Sequence, residues 1–230
     1  MTLKQFVKPA GAIAVFTAIV LAATLSSSRP VRATDDDNNH RESEVRIGFE
    51  IAPVPLNLEG KNRELVGLGS YIVNGQGDCN GCHSAGPATE FLRGGNPYMG
   101  QPEKINTATY LGGGRDFGPF PAPTSALHII SRNLTPDKTG RPEGGHTFAE
   151  FLEIIRTGVD MDHLHPNCSA TVTTNCLQPP FKGDLLQIMP WPIYKNMTEH
   201  DLRAIYEYLS AVPCVEGPAD PTDPRHNDCN

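Results

Sequence analysis

Apolar residues recur at helical spacing in three separate stretches of this chain, and little periodicity lies between them. From Arg63 to Asn74, Leu65, Leu68 and Ile72 fall near one face before Gly75 and Gly77 break the pattern. A second stretch opens with Thr147 and Glu150 in a capping-box arrangement, then repeats Phe148, Phe151, Leu152 and Ile155 until Gly158. The third runs from Thr198 to about Ala211, with Thr198 and Asp201 suited to an N-terminal cap, Leu202, Ile205, Tyr206 and Leu209 on one stripe, and Pro213 as its stop. Residues 84–146 hold many Gly and Pro, including Gly112-Gly113-Gly114, and read as wrapped loop. The pattern predicts short helices set in long loops.

The beginning of the chain is different. Lys4 and Lys8 precede an uncharged apolar run from Gly11 to Leu25, followed by a polar stretch ending Val31-Arg32-Ala33. This layout is that of a signal peptide, residues 1–33, with cleavage after Ala33 and export to the periplasm. The run is shorter than the roughly 20 residues of a membrane-crossing helix, so an integral span is not expected in the mature chain. Residues 34–61, opening on Thr34-Asp35-Asp36-Asp37, are expected as a flexible N-terminal extension, 62–213 as the main domain and 214–230 as a C-terminal tail.

Charge narrows the partners. Residues 1–33 carry four positive charges, Lys4, Lys8, Arg29 and Arg32, and no acidic residue, so their removal takes the net charge from −7 to −11. That acidity argues against nucleic acid or an anionic membrane as the main partner. It permits steering toward a basic protein surface, and equally serves solubility.

The candidate chemistry sits at Gly77-Asp78-Cys79-Asn80-Gly81-Cys82-His83. This contains C-x-x-C-H, the attachment signature of c-type haem: two thiols two residues apart can each add to a vinyl group on one haem edge, and the adjacent histidine lies under the iron. No second copy occurs, so one haem is expected. A zinc site would need two further closely spaced ligands, and a thioredoxin-like pair would need a βαβ setting; neither is legible here. For a sixth iron ligand the candidates are Met99, Met161, Met189 and Met197, with His163 and His165 as competitors. Met189 is favoured because Pro190 stiffens its loop, and Trp191 and Tyr194 are placed to wall a pocket. A carbonyl of Pro87 or Pro97 is a candidate partner for His83 Nδ1, and Arg132, Asn133 and Trp191 are candidates to meet the haem propionates.

Four cysteines remain. Cys168 with Cys176 and Cys214 with Cys229 are the natural local pairings for an exported chain, at about 2.5 and 3 kcal/mol by loop-closure entropy, although crossed pairings are also permitted.

Beyond the haem motif, an ordered set of segments resembles the cytochrome c family, and more narrowly one haem domain of the multi-haem cytochrome subunits of membrane-bound alcohol and gluconate dehydrogenases. The segments are Gly69-Ser70-Tyr71-Ile72-Val73, Asp78 to His83, Ser131-Arg132-Asn133-Leu134-Thr135-Pro136-Asp137, Phe148 to Asp160, Met189-Pro190-Trp191, and Met197-Thr198-Glu199-His200-Asp201-Leu202. They cover roughly residues 64–212. The resemblance implies an all-α cytochrome c fold around one covalently bound haem c, with Cys79 and Cys82 attaching it and His83 and Met189 ligating its iron. It implies single-electron transfer between redox proteins, a dehydrogenase or an oxidase, rather than catalysis; the alternative is a haem enzyme or gas sensor with an open or displaceable sixth ligand. Two features depart from the pattern: only one domain is present, and an insert bearing Cys168 and Cys176 precedes Met189.

Overall fold

The computed structural model describes residues 36–122 and 125–230. The expected signal peptide, 1–33, lies outside the described residues. Asn38–Asn230 form one compact unit. In chain order the elements are α1 (Asp36–Ile51), α2 (Arg63–Ser70), a π-helical turn (Tyr71–Gln76), α3 (Cys79–His83), α4 (Pro87–Glu90), a 3-10 turn (Pro97–Met99), β1 (Asp116–Pro119), β2 (His128–Ile130), α5 (Pro142–Gly145), α6 (Phe148–Thr157), α7 (Trp191–Tyr194) and α8 (Glu199–Leu209).

The all-α expectation is overturned. Strands β1 and β2 pair antiparallel, Asp116 opposite Ile130 and Pro119 opposite His128, and α4, α5 and α7 are only four residues each. Much of the described chain is irregular, so the architecture is mixed, with a small hairpin beside a few helices. The physical reason lies in the Gly/Pro-rich segment: its residues cannot sustain a helical stripe, and two short runs satisfy their backbone groups by pairing with each other instead.

The three periodic stretches do form helices, and their caps explain where they start. Asn62 accepts from the backbone N–H groups of Glu64 and Leu65 to begin α2. Thr147 and Glu150 make a reciprocal capping box at α6, and Gly158, at φ 75°, ends it. Thr198 accepts from Asp201 N–H at 3.1 Å to open α8.

Close approach between helices is bought with missing side chains. A Cβ on Gly69 of α2 would lie 1.9 Å from the Ala204 carbonyl oxygen of α8, and one on Gly48 of α1 would lie 1.9 Å from the Gly67 oxygen of α2. Helix α1 therefore seats on α2, and Ser70 Oγ donates to Gly48 O at 2.6 Å in the buried contact. This helix falls within 34–61, the segment read from sequence as a flexible extension. Around these crossings Val66, Ala204 and Tyr208 are fully buried. The Tyr208 and Tyr110 hydroxyls lie 2.8 Å apart, and Asn74 bonds to both. No buried phenol is left without a partner there, which removes a penalty of about 1–3 kcal/mol per group.

Both local disulfides are present, Cys168–Cys176 and Cys214–Cys229, leaving Cys79 and Cys82 as the free cysteines. The first braces the insert, whose Leu177 is buried against Leu127 and Ile129 of the hairpin region. The second ties the tail back. Asn227, almost fully buried, donates to Thr135 Oγ1 and to the carbonyls of Pro136 and Val215. No helix among the described residues is long and apolar enough to cross a membrane.

Candidate functional site

Between α6, α8, the π-helical turn, the hairpin and the insert lies a cavity of about 360 Å³. Its walls are mainly apolar, with Ile72 and Val73 from the π-helical turn, Phe151, Ile154 and Ile155 from α6, and Leu202, Ile205 and Leu209 from α8. Residues of the three helical stripes thus surround a hollow. Pockets of this size and character are typical of small-molecule and cofactor sites.

Cys79, Cys82, His83 and Met189 all line this one cavity. Of the competing sixth-ligand candidates, Met197 and His165 line it as well, while Met99, Met161 and His163 do not. Met99 is 72% exposed. Tyr194 is on the wall, with its hydroxyl 3.5 Å from Gly77 O. Trp191 is not: a Cβ on Gly158 would overlap its indole, so the ring covers Gly158, and its Nε1 donates to Leu186 O at 3.3 Å.

The route to the two thiols is short. After α2 the helix widens into the π-helical turn, which ends when Gly77 N–H donates to Ile72 O at 2.7 Å. Asp78, at φ 45°, then turns the chain into α3, which carries both thiols and the imidazole on a single five-residue segment. A Cβ on Gly81 would meet the Asp78 carboxylate at 2.6 Å, so the small residue between the cysteines makes room for that side chain. Burial, reinforced by Asp78 and Cys82, pushes the Cys79 thiol up to about 12. A thiol held protonated in this way is a poor reactive thiolate, unlike the lowered thiols of disulfide oxidoreductases.

His83 is oriented by a backbone carbonyl. Its Nδ1 lies 2.8 Å from Arg132 O, and not against Pro87 or Pro97, the two candidates read from sequence. A carbonyl can only accept, so Nδ1 carries the proton and the lone pair left to offer is that of Nε2. Burial holds the imidazole below its usual range and so favours the neutral ring, while the hydrogen bond to Arg132 O partly opposes this.

The segment holding that carbonyl is itself fixed. Gly113 N–H donates to His83 O at 2.7 Å, Gly114 N–H to Ser131 O and Leu134 N–H to Leu111 O. A Cβ on Gly113 would stand 2.5 Å from Arg132 C, which is why the glycine run sits here. The Arg132 side chain lines the cavity and pairs with Asp160 and Asp162. Burial alone would depress the guanidinium, but the two carboxylates outweigh it and raise it. Asn133 points the other way, donating to Val215 O and accepting from Thr135. Nothing in the sequence signalled the role of the Arg132 backbone, because any residue supplies a carbonyl.

Met189 is held by two successive tight turns. Met189 N–H donates to Gln187 O at 2.7 Å, and Trp191 N–H to Met189 O at 2.8 Å. The first turn puts Ile188 at φ 69°, a conformation unfavourable for a β-branched residue.

Among the described residues no group of three or more His, Cys, Asp or Glu side chains is placed to hold a metal ion. The cavity wall presents the thiols of Cys79 and Cys82, the imidazoles of His83 and His165 and the thioethers of Met189 and Met197 around a mainly apolar hollow.

With this geometry in hand, the comparisons with known proteins give a consistent direction. The chain is 28% identical over 150 residues to the gluconate 2-dehydrogenase cytochrome c subunit of Pantoea cypripedii, covering 64% of this chain and 23% of that protein. It is 28% identical over 145 residues to the cytochrome c subunit of the quinone alcohol dehydrogenase of Gluconacetobacter polyoxogenes, covering 63% and 21%. Over 219 residues it is 22% identical to the fructose dehydrogenase cytochrome subunit of Gluconobacter japonicus, covering 95% and 31%. The chain is similar to cytochrome c subunits of dehydrogenases. It spans less than a third of the length of each of these relatives. No family model and no solved structure matches it.

Proposed function

We propose that this chain is a c-type cytochrome that carries single electrons between redox proteins. The residues that would hold one haem c in the cavity are Cys79 and Cys82, through thioethers, with His83 and Met189 as ligands to its iron. The observation that carries the reading is the convergence on one apolar cavity of the only two unbridged cysteines, the histidine beside them and a methionine from a distant loop. The fit is chemical as well as spatial: His83 offers a neutral Nε2 lone pair, and the apolar walls suit a large flat hydrophobic group.

When bound, haem supplies reversible one-electron redox chemistry. The residues of this chain bind, orient and shield it. Cys79 and Cys82 anchor one edge, Arg132 O fixes the plane and basicity of the His83 ring, and the Phe151, Ile154 and Leu202 side chains exclude water. Histidine with methionine favours a high reduction potential and leaves iron without a vacant position, which suits transfer through the haem edge over substrate binding.

The dehydrogenase cytochrome subunits it resembles support a dehydrogenase as partner. The two disulfides, together with the leader-like beginning, support work in the periplasm. A second reading, a haem enzyme or gas sensor with a displaceable methionine, draws on the strained turn at Ile188 beside Met189. A ferric absorption spectrum decides between them. The carrier is expected to be low-spin with a methionine-to-iron charge-transfer band that Met189→Ala removes; a high-spin ferric resting state in the unaltered protein overturns it.

A further inference from the structure

One wall of the cavity carries a carboxyl group that the proposed ligation does not use. Glu143 lines the cavity and is only 9% exposed. Its Oε2 is buried with no hydrogen-bond partner. Its backbone is held at φ 54° and is followed by Gly144 and Gly145 at φ 72° and 90°, an unfavourable conformation for a residue with a Cβ. Strained backbone clusters at functional sites, and a buried carboxyl without a partner facing a cofactor-sized hollow calls for a role.

Its surroundings are polar and mixed in charge. Arg132, His146, Asp160 and Asp162 are the charged groups acting on it, and His165, whose Nδ1 is also buried without a partner, stands on the same cavity wall. The ion pairs of Arg132 go to Asp160 and Asp162, so it acts on Glu143 through charge alone and makes no hydrogen bond to it. His146 Nε2 lies 3.7 Å from Asp162, whose side chain is 42% exposed, so the cluster opens on solvent at one end. Glu143 makes no hydrogen bond or ion pair with His83 or Met189.

We infer that Glu143 is a redox-linked proton site: when one electron enters the cavity, Glu143 takes one proton from solvent, and it releases that proton on oxidation. The inference rests on the proposed haem occupancy. The electron reduces ferric to ferrous iron, the proton converts the carboxylate to the carboxylic acid, and the charge added to the low-dielectric hollow is cancelled. Burial raises the Glu143 carboxyl above its usual range, with Arg132 and His146 pulling the other way. That leaves the group poised to change state when a nearby charge changes. The sign follows. Below the pKa of the oxidised form the carboxyl is protonated in both redox states, and above that of the reduced form it is ionised in both. Between the two, reduction draws in a proton, so the reduction potential falls as pH rises.

The test is a spectroelectrochemical titration of the haem-loaded protein across pH 4 to 9, with and without Glu143→Gln. The unaltered protein is expected to show a window in which the potential falls with a slope approaching about 59 mV per pH unit, the one-electron equivalent of a tenfold change. Glu143→Gln is expected to flatten that window with the axial-ligand spectrum unchanged. A potential independent of pH in the unaltered protein, or an undiminished slope in Glu143→Gln, overturns the inference. Reduced-minus-oxidised infrared difference spectra of the unaltered protein give a reading that needs no variant: a protonated-carboxyl band that gains on reduction and shifts in deuterated water supports it, and no such band refutes it. A haem-loaded protein with a pH-flat potential defeats this inference alone, whereas bare polypeptide defeats the haem reading and this inference with it.

Discussion

The two faces of the cavity are built on opposite principles. On the His83 side the imidazole is tied to Arg132 O, and the segment carrying that carbonyl is stitched to its surroundings through buried Asn133, Thr135 and Asn227 and the tail closed by Cys214–Cys229. On the Met189 side the thioether hangs from two tight turns, between a half-exposed Ile188 at positive φ and an exposed Pro190. One face is held by a network of satisfied polar groups, the other by a short strained loop. The contrast teaches that the His83 ring is fixed by the protein itself, whereas Met189, proposed as the second ligand, depends on a short loop and is expected to be the easier to displace.

Removing each proposed ligand in turn separates the faces most sharply. His83→Ala is expected to prevent formation of a stable six-coordinate haem protein, since it removes the proposed ligand and also leaves the part-buried Arg132 carbonyl without its partner, at a cost of about 1 kcal/mol. Met189→Ala is expected to keep the attached haem but open the sixth position to added imidazole or cyanide, followed by visible spectra. Equal behaviour of the two variants would break the comparison.

A smaller change sharpens it. Ile188→Gly relieves the positive φ, so global stability is expected to stay within about 1 kcal/mol of the unaltered protein, the relief offsetting glycine's greater chain entropy. Imidazole is then expected to compete with Met189 about tenfold more effectively, since about 1.4 kcal/mol of lost preorganisation corresponds to a factor of ten. Denaturant unfolding and imidazole titration together read this out. Unchanged imidazole affinity would show that the strain does not restrain Met189.

The sequence was most legible where local chemistry repeats. Helices α6 and α8 announce themselves by an apolar stripe, a capping side chain and a Gly or Pro stop, and α2 by its stripe and glycine stop, although the expected helix over 63–74 runs as α2 only to Ser70 and then as the π-helical turn. The hairpin was not legible, because strands of three and four residues are too short to show alternation. Helix α1 was hidden by its polar composition; its partner surface depends on glycine contacts between Gly48 and Gly67 that no periodicity reports. At the site, the thiols and His83 were marked by spacing and Met189 by its proline. The Arg132 carbonyl and the buried Glu143 were not, since the one is backbone and the other is an acidic residue in a Gly/Pro-rich loop. Their roles come only from what the folded chain brings beside them.

The most direct measurement is the intact mass of denatured protein matured in cells with active c-type haem attachment, compared with Cys79→Ala/Cys82→Ala. The account predicts one macrocycle per unaltered chain that survives denaturation, and none on the double variant. A bare polypeptide from the unaltered gene under those conditions, or a macrocycle retained without either thiol, would contradict it.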